Sequence, residues 1–459
     1  MAETRRQANP FSKKVERIVP QGAGPAKRVG EQRAPPSHTR FAKVSRLALI
    51  GCFPVPDRVY PRDLLDHIEA DLRGNILPFW IKHVVNRPAG TFHGHLTNAL
   101  AIDPQAERGA LLTSRILWTY ASAFRQFGNA EYREMADFAY ADLMKRHHDA
   151  KHGGYFWAIN ADGTVKRDRK QVYGQAFAIY ALAEYHAATG QREPLDEAIA
   201  VYRLLEKFAR ERTHGGYLEA FGRDWQPIPD MELSPSDQNV PKSQNTMLHV
   251  MEAYTRLLSV WPDPDLKSAL AALVDVMLTR ILNPRTFHLG LFFTNDWQPT
   301  SDKISYGHDI EAAWLMTRAA DVIGAPALVA RVTPVALRIA DVTLAEGTDT
   351  DGGLYNQGDP GGVTDGSKDW WPQAEAVVGF INAWQLSEQE RYLAAAAHTW
   401  EFIETHLVDR EHGEWYRGTT RDGRRISTLE KVGFWKCPYH NGRMGLEAAV
   451  RLRAGPKKA

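Results

Sequence analysis

A short turn that recurs along the chain constrains its fold more than any other feature. Each copy places a glycine next to apolar or aromatic residues. The copies are FHGHL from Phe92, KHGGYF from Lys151, THGGYL from Thr213, FHLGLFF from Phe287, TDGGLYN from Thr350 and EHGEWY from Glu411. Their spacing of roughly sixty residues is typical of an internal repeat. The pattern predicts stacked copies of one unit.

The segments between the turns have a helical pattern. ALLTSRILWTYASAFRQFG, from Ala110, has apolar residues at spacings of three and four and stops at Gly128. EYREMADFAYADLMKRHH, from Glu131, behaves alike and ends in cations, as a helix C-terminus prefers. The Asp162-Gly163 pair that follows predicts a β-hairpin. Each unit is therefore predicted to be helix, short link, helix, turn and small hairpin.

The two helices of a unit differ in polarity. The first, as in QVYGQAFAIYALAEYHAATG, is apolar nearly all round and is typical of a buried helix. The second, as in EPLDEAIAVYRLLEKFARERT, carries more charge and suits an outer ring. Six such pairs predict an all-α fold, a closed (α/α)6 barrel with short β-hairpins at one mouth. An open helical solenoid is the alternative.

The chain has 459 residues, and we assign residues 60–453 to a single barrel domain. Residues 1–46 are rich in Arg, Lys, Pro, Gly and Gln and lack an apolar period. Such a composition cannot offset the entropy of ordering, so we predict a disordered basic tail. LALIGC, ending at Cys52, resembles a lipoprotein cleavage site, but its apolar run is too short and lies too far along the chain.

Charge and cysteine content exclude several classes of function. A net charge of +1 provides no field for nucleic acid or an acidic membrane surface. No apolar run reaches the length of a membrane span. Two cysteines, Cys52 and Cys437, exclude a disulfide framework and fit a reducing compartment. We expect a cytoplasmic protein, a monomer or weak homodimer, with no membrane or nucleic-acid partner.

Polar side chains stand at the predicted starts of the buried helices. A buried charge without a partner is costly, so their convergence on one mouth predicts a binding or catalytic pocket. The set is Arg115, Tyr173, Asn245, His249, Glu252, His308, Glu311, Trp370, Trp371, Glu375, Trp435, His440 and Arg443.

Each member also has a structural interpretation. Arg115 could belong to a structural ion pair, and Tyr173 could be a core residue. Adjacent helical residues diverge, so Trp370 could pack outside the pocket while Trp371 faces it.

Two His-x-x-Glu pairs lie in this set. Glu252 and Glu311 follow His249 and His308 by three residues, and we expect each to orient its imidazole. The two pairs could also ligate a metal ion. Carboxylate-bridged di-metal bundles, however, use the reverse order, Glu-x-x-His. H-E-x-x-H and cysteine clusters are absent from the sequence, as are dinucleotide and phosphate-loop fingerprints. We therefore expect no metal and no cofactor.

Four segments carry a family resemblance. NTMLHVMEAYTRL, SYGHDIEAAWLM, DWWPQAEAVVGF and GFWKCPYHNGRMGLE closely resemble the cellobiose 2-epimerases, within the N-acylglucosamine 2-epimerase superfamily. The resemblance runs from about Leu64 to Leu452. It implies an (α/α)6 barrel that reversibly epimerises C2 of the reducing-end sugar of a β-1,4-linked disaccharide through ring opening and an enediolate.

The resemblance also implies roles for matching residues. His308 and His440 are the expected acid/base pair, on opposite walls of the mouth, and His249 aids ring opening or proton relay. The expected substrate-binding residues are Arg115, Tyr173, Asp237, Asn245, Trp371 and Trp435. The expected supporting residues are Glu252, Glu311, Glu375 and Trp370.

Elementary chemistry is consistent with these roles. Removing a C2 proton needs a base near its operating pH, which imidazole supplies, and Arg115 could stabilise the oxyanion. Three alternatives remain. A ketose–aldose isomerase such as a mannose isomerase would return the proton to C1. An inverting glycoside hydrolase would need two carboxylates. A sugar-binding protein would have a degenerate site.

Overall fold

The structure, a computed structural model, describes residues 59–457. The helices of this part are α1 Pro61–Asp71, α2 Leu77–His83, α3 Ala110–Phe127, α4 Ala130–Asp142, α5 Val172–Thr189, α6 Arg192–Leu204, α7 Gln244–Val260, α8 Pro264–Val276, α9 Tyr306–Ile323, α10 Pro326–Val342, α11 Trp370–Ser387, α12 Glu390–Phe402 and α13 Tyr439–Ala454.

The strands are two to four residues long. They are β1 Val85–Asn86, β2 Thr91–Phe92, β3 Arg108–Gly109, β4 Ala158–Ile159, β5 Val165–Arg167, β6 Lys170–Gln171, β7 Ala220–Phe221, β8 Lys242–Ser243, β9 Phe292–Phe293, β10 Ile304–Ser305, β11 Gln357–Asp359, β12 Gly362–Asp365, β13 Lys368–Asp369 and β14 Gly418–Thr419.

Six inner helices form a closed ring. Helices α3, α5, α7, α9, α11 and α13 each contact the next, and α13 returns to α3. Their side chains are buried nearly all round, as the apolar pattern predicts. Helices α4, α6, α8, α10 and α12 pack outside, and α1 packs against α13 to complete the outer ring. The predicted all-α (α/α)6 barrel is confirmed.

Each outer helix ends in a π-helical turn, which the sequence pattern did not predict. The six turns are Leu72–Ile76, Leu143–His147, Leu205–Ala209, Met277–Ile281, Thr343–Gly347 and Ile403–Leu407. The first and fifth residues of every turn are buried. One extra residue therefore shifts the helical face so that both ends of the turn point into the barrel.

The recurrent turn joins an outer helix to the next inner one. In KHGGYF, Gly153 and Gly154 have φ of 72° and 68°, a conformation that favours glycine. The amide of Gln175, the fourth residue of α5, accepts from Tyr155 N at 2.8 Å and donates to its carbonyl at 2.8 Å. Gln373 holds Leu354 in the same way on α11. The turn is thus fixed to the start of an inner helix.

Short strands join neighbouring units at this end. The strand before each of five inner helices pairs antiparallel with a strand of the following unit, as β3 with β4 and β13 with β14. The predicted hairpin around Asp162-Gly163 is confirmed as β4–β5. These pairings gather the hairpins at one mouth and align the starts of the inner helices around it.

Some expectations lie at the limits of the described residues. The predicted tail at residues 1–46 and the LALIGC motif lie outside them, so the division into tail and barrel stays a prediction. Cys437 is buried and not in a disulfide. None of the described helices is both long and apolar enough to cross a membrane.

Candidate active site

The inner helices present their polar residues at two repeated positions. The second residue of a helix is Tyr173 in α5, Asn245 in α7, Trp371 in α11 and His440 in α13. The sixth is Arg115 in α3, His249 in α7, Glu311 in α9 and Glu375 in α11. A spacing of four places both positions on one helix face. That face looks into the mouth of the barrel.

All of these side chains except Glu375 line one cavity of about 220 Å3. The sequence-predicted residues on its wall are Arg115, Tyr173, Asp237, Asn245, His249, His308, Glu311, Trp370, Trp371, Trp435 and His440. An adjoining lobe of about 180 Å3 shares Asp237, Asn245, His308 and Trp371. Glu252 and Glu375 lie behind the wall, where each contacts a histidine.

The three histidines share one arrangement of their ring nitrogens. The Nδ1 of His249 lies 2.8 Å from Glu252, that of His440 lies 2.7 Å from Glu375, and that of His308 lies 2.8 Å from the hydroxyl of Ser305. Among the described residues, no group hydrogen-bonds the Nε2 of any of the three. A carboxylate accepts from Nδ1–H, so in neutral His249 and His440 the Nε2 carries the lone pair.

Burial keeps these imidazoles neutral. It lowers the pKa of His308 to about 3, with His249 adding to the effect. Burial, reinforced by Arg115 and Arg443, lowers the pKa of His440 well below its ordinary value. The pKa of His249 is lowered by burial, although Glu252 opposes the shift. Each ring can therefore accept a proton at neutral pH, and the imidazolium that forms is a strong acid.

Trp371 lies between two of the histidines. Its ring centre is 4.6 Å from that of His308 and 5.6 Å from that of His440. The two histidines stand on α9 and α13, which flank α11. They are therefore on second-neighbour helices, and the prediction of opposite walls is wrong. Trp370 also lines the cavity, so the interpretation that it packs outside the pocket is wrong.

A buried arginine joins three glutamates beneath the cavity. Arg443 donates to Glu252, Glu311 and Glu375 and is fully buried. The prediction that Glu311 orients His308 is wrong, because Glu311 turns towards this guanidinium and Ser305 takes its place.

Glu311, Glu375 and His440 could in principle ligate a metal, since their ligand atoms lie within 4.8 Å of one another. Arg443 already binds both carboxylates, with its guanidinium 2.6 Å from Glu375. A metal ion would need to displace this cation. The donor set therefore fits a metal poorly.

One positive charge is shared by three carboxylates, so their pKa values diverge. Burial opposes ionisation of Glu252, but Arg443 and His249 lower its pKa to about 2. Burial and the charge of Glu375 raise the pKa of Glu311 well above its ordinary value. The Oε2 of Glu311 is buried without a hydrogen-bond partner among the described residues. Burial and the neighbouring negative charge thus favour the protonated form of Glu311.

Arg115 is a buried cation without an anionic partner in the described part of the chain. It donates to the hydroxyl of Tyr173 at 2.7 Å and lies 4.3 Å from the ring centre of Phe177. Among residues 59–457, no carboxylate forms an ion pair with its guanidinium. The structural ion pair that the sequence left open is absent from the described residues. Such a cation is stabilised when an anion or oxyanion enters the cavity.

Two predicted residues lie outside the helix starts. Trp435 precedes α13 in a loop, where its ring centre is 6.0 Å from those of Tyr173 and Trp157. Lys431 and Lys436 fix this loop through buried ion pairs to Asp409 and Glu414. Asp237 belongs to another mouth loop and receives a hydrogen bond of 2.8 Å from Ser234.

Sequence reasoning missed other residues on the cavity wall. Glu219 and Asn356 line the adjoining lobe, and Arg417 lines the main one. In each of these copies of the recurrent turn, one apolar or aromatic residue forms an antiparallel backbone bridge across the turn. Each missed residue follows that bridging residue by two positions. The repeat therefore carried a signal for them. Gln244, also on the wall, starts α7 and has no such signal.

Fold and cavity together define an (α/α)6 barrel whose mouth is lined by histidines, tryptophans and an unpaired arginine. The chain belongs to the N-acylglucosamine 2-epimerase (GlcNAc 2-epimerase) family, whose profile matches residues 90–441.

Individual relatives agree with this assignment. The chain is 42% identical over 385 residues to a cellobiose 2-epimerase of Bacteroides fragilis, covering 84% of this chain and 98% of the relative. The solved cellobiose 2-epimerase of Spirochaeta thermophila superposes with a TM-score of 0.79 at 41% identity, over 86% of this chain and 98% of that one. A D-mannose isomerase of Marinomonas mediterranea is 26% identical over 74% of this chain and 86% of the relative.

Proposed function

We propose that the protein reversibly epimerises C2 of the reducing-end sugar of a β-1,4-linked disaccharide, such as cellobiose or mannobiose. The observation that carries this is the pair of neutral imidazoles, His308 and His440, on either side of Trp371 in one cavity. The relatives that bear the name cellobiose 2-epimerase support the choice of a disaccharide. The two adjoining lobes offer a place for each sugar unit.

The reaction begins with opening of the sugar ring, because a free C1 carbonyl acidifies the C2 proton. His249 lines the cavity with its Nε2 unengaged and can take the proton of the C1 hydroxyl. Its Nδ1–H remains bonded to Glu252, which stabilises the imidazolium that forms. The imidazolium passes this proton to the ring oxygen as the bond between C1 and the ring oxygen breaks, so the open form carries an aldehyde and a hydroxyl.

One of His308 and His440 then removes the C2 proton. The electron pair moves to the carbonyl oxygen and gives an enediolate, whose negative charge the guanidinium of Arg115 can stabilise. The base passes its proton to solvent, the other histidine takes a proton from solvent and delivers it to the opposite face of C2, and ring closure by the reverse of the opening step completes the inversion. The indole of Trp371, in contact with both imidazoles, offers a flat face against which the sugar can stack.

The three glutamates next to the histidines do not form the carboxylate pair that a glycoside hydrolase needs. Glu252, Glu311 and Glu375 all bond the same guanidinium, and Glu252 and Glu375 lie behind histidines. Free carboxylates across a scissile bond are the requirement for hydrolysis. Epimerisation uses the imidazoles instead.

Product analysis in D2O tests the proposal. Cellobiose, mannobiose, glucose and mannose are incubated separately with the protein, and products are resolved by chromatography and NMR. We expect the C2 epimer of each disaccharide with deuterium at C2 and intact glycosidic bonds. Conversion of mannose to fructose alone would identify an aldose–ketose isomerase. Glucose released from cellobiose would identify a hydrolase.

Two variants assign the reaction to the histidines. His308→Ala and His440→Ala should each abolish epimerisation while the far-ultraviolet circular dichroism stays that of the parent. His148→Ala is the matched control, since this partly exposed histidine lies outside the cavity. Turnover retained by either cavity variant contradicts the two-histidine mechanism.

A further inference from the structure

A second cavity lies inside the barrel at the end opposite the mouth. Its volume is about 60 Å3, and its lining comes from the later turns of α3, α5, α7, α9 and α13. The inner helices begin at the mouth, so these turns lie at the far end. We call it the rear cavity. The lining residues that matter here are Trp118, Arg125, Tyr180, Glu184, Arg256 and Arg318.

Three arginines and three glutamates line the rear cavity, but the arginines are not paired one to one with these carboxylates. The Nε atoms of Arg125 and Arg256 lie 2.7 Å and 2.5 Å from the two oxygens of Glu184, so two guanidiniums share one carboxylate. Arg318 is exposed and makes no hydrogen bond, and no ion pair within 4 Å, to any described residue, although its charge helps to lower the pKa of Glu447. The terminal nitrogens of Arg125 and all of Arg318 are therefore free to bind another acceptor.

The other acids on the wall are already engaged. Glu252 binds Arg443 and receives a hydrogen bond of 2.6 Å from Tyr439. Glu447 lies 3.1 Å from Arg451. Neither carboxylate contacts Arg318 within 4 Å, so the guanidinium of Arg318 remains available to a bound acceptor.

Buried neutral donors also face this space. Trp118 is 4% exposed, and its indole N–H has no acceptor among the described residues. Tyr180 stacks on Trp118 with ring centres 5.1 Å apart, and its hydroxyl makes no hydrogen bond in the described part of the chain. A buried N–H without an acceptor costs about 1–3 kcal/mol and calls for an explanation. An acceptor held in the cavity supplies one.

We propose that the rear cavity binds a small oxyanion of the phosphate class. Guanidiniums bind such anions through paired, charge-assisted hydrogen bonds, and the indole N–H adds a neutral donor. The volume exceeds the ~10–15 Å3 that one water needs and suits an ion of a few heavy atoms, not a nucleotide.

The rear cavity is separate from the candidate active site. Glu252 lines its inner wall, and the other side of that carboxylate holds His249, which lines the mouth cavity. One side chain thus stands between the two cavities. Anion binding at the rear does not depend on the proposed epimerisation, and it can be measured without any sugar.

Inorganic phosphate is the probe for the test. Its affinity is measured by isothermal titration calorimetry and by the rise in Tm, at ionic strength held constant with NaCl, since a ligand bound to the folded state raises stability in a saturable way. We expect Arg318→Gln to weaken binding at least about tenfold, the loss of one charge-assisted bond. Trp118→Phe, which removes only the indole N–H, should weaken it as well.

Arg331→Gln is the matched control, because this exposed arginine pairs with Asp275 on the outer ring and should leave the affinity unchanged. Equal affinity in the parent and in Arg318→Gln would overturn the proposal, as would an equal rise in Tm with NaCl alone. Phosphate bound at the mouth would be lost in Arg115→Gln and kept in Arg318→Gln, and that result would also overturn it. If Arg318→Gln does not fold, Trp118→Phe decides the outcome by itself.

Discussion

The indole of Trp371 lies directly against the α-carbon of Gly307. A β-carbon at Gly307 would be 2.7 Å from both Cη2 and Cζ3 of the indole and 3.0 Å from the β-carbon of Pro372. Gly307 is the second residue of α9, the position that carries a tyrosine, an asparagine, a tryptophan or a histidine in four other inner helices. Its backbone does not need glycine, since its φ is not positive. The missing side chain makes room for the tryptophan.

Gly307→Ala should therefore displace Trp371 from its place between the two histidines. A shift of about 1 Å in a positioning group can cost about 100-fold in rate, and we expect a loss of that order in kcat/KM for epimerisation. Steady-state kinetics measure it. Gly74→Ala is the control, because a β-carbon there meets nothing within 4 Å.

A second substitution separates displacement from general damage. Trp371→Phe in the Gly307→Ala background shortens the ring that clashes, so the double variant should recover part of the lost rate relative to Gly307→Ala. A double variant that is slower than both single variants, or a fully active Gly307→Ala, contradicts the interpretation.

Arg443→Met should destabilise the barrel severely. The methionine fills similar volume but leaves Glu252, Glu311 and Glu375 buried without their shared cation. Breaking a buried ion pair from one side costs about 3–5 kcal/mol. Denaturant unfolding followed by circular dichroism gives the change in the free energy of unfolding. Arg331→Gln removes only a surface pair and should change it by no more than about 1 kcal/mol. A similar change in both variants would disprove a structural role for the cluster.

The pH dependence of stability should report the buried histidines. The folded-state pKa of His308 is about 3, against an ordinary value of 6.5, because burial disfavours the charged ring. Between these values the unfolded chain binds the proton and the folded chain does not. The stabilising contribution is complete above pH 6.5 and is lost as the pH falls towards 3.

His308→Gln should flatten that profile by up to ~1.4 kcal/mol per pH unit. Unfolding free energies of parent and variant between pH 4 and 7 measure it. His147→Gln is the matched control: burial lowers the pKa of His147 to about 3 too, but this side chain lies outside the cavity. His147→Gln should flatten the pH profile of the unfolding free energy to a similar extent, while epimerisation activity is retained. Parallel profiles for the parent and His308→Gln would refute the shifted pKa.

Chelation should not affect activity. Arg443 supplies the positive charge between Glu311 and Glu375, so the reaction as proposed needs no metal there. Epimerisation is measured after prolonged incubation with EDTA and dialysis, and the rate should equal that of the untreated protein. A loss of rate that added divalent cation restores would show that the ion pair is not the resting state.

Most of the architecture could be predicted from the recurrent turn. Its six copies set the number of units, and the polarity of the intervening helices separated inner from outer ones. The π-helical turns were not predictable in this way, because a single extra residue at a helix end leaves the apolar spacing almost unchanged. Closure of the ring by α1 and α13 depends on contacts between distant segments, which a local pattern does not contain.

The candidate site was predicted as a set but not in its pairings. Helical spacing placed His249 and Glu252 on one face, and that contact exists. The same spacing predicted a contact between His308 and Glu311. This contact does not form, because Glu311 binds a guanidinium that belongs to α13. Spacing within one helix cannot anticipate a charge that arrives from another. For the same reason Glu375 of α11 holds His440 of α13.

The junction between α1 and α13 also sets the order in which the protein can be completed. Helix α13 is the sixth inner helix and the partner of the first outer one, and it carries His440 and Arg443. A ribosome must therefore synthesise five helical pairs before the ring can close and before the proposed acid/base pair exists. A chain cut short ahead of Tyr439 would lose ring closure and His440 together, so by the mechanism proposed above a partly made barrel could not epimerise a sugar.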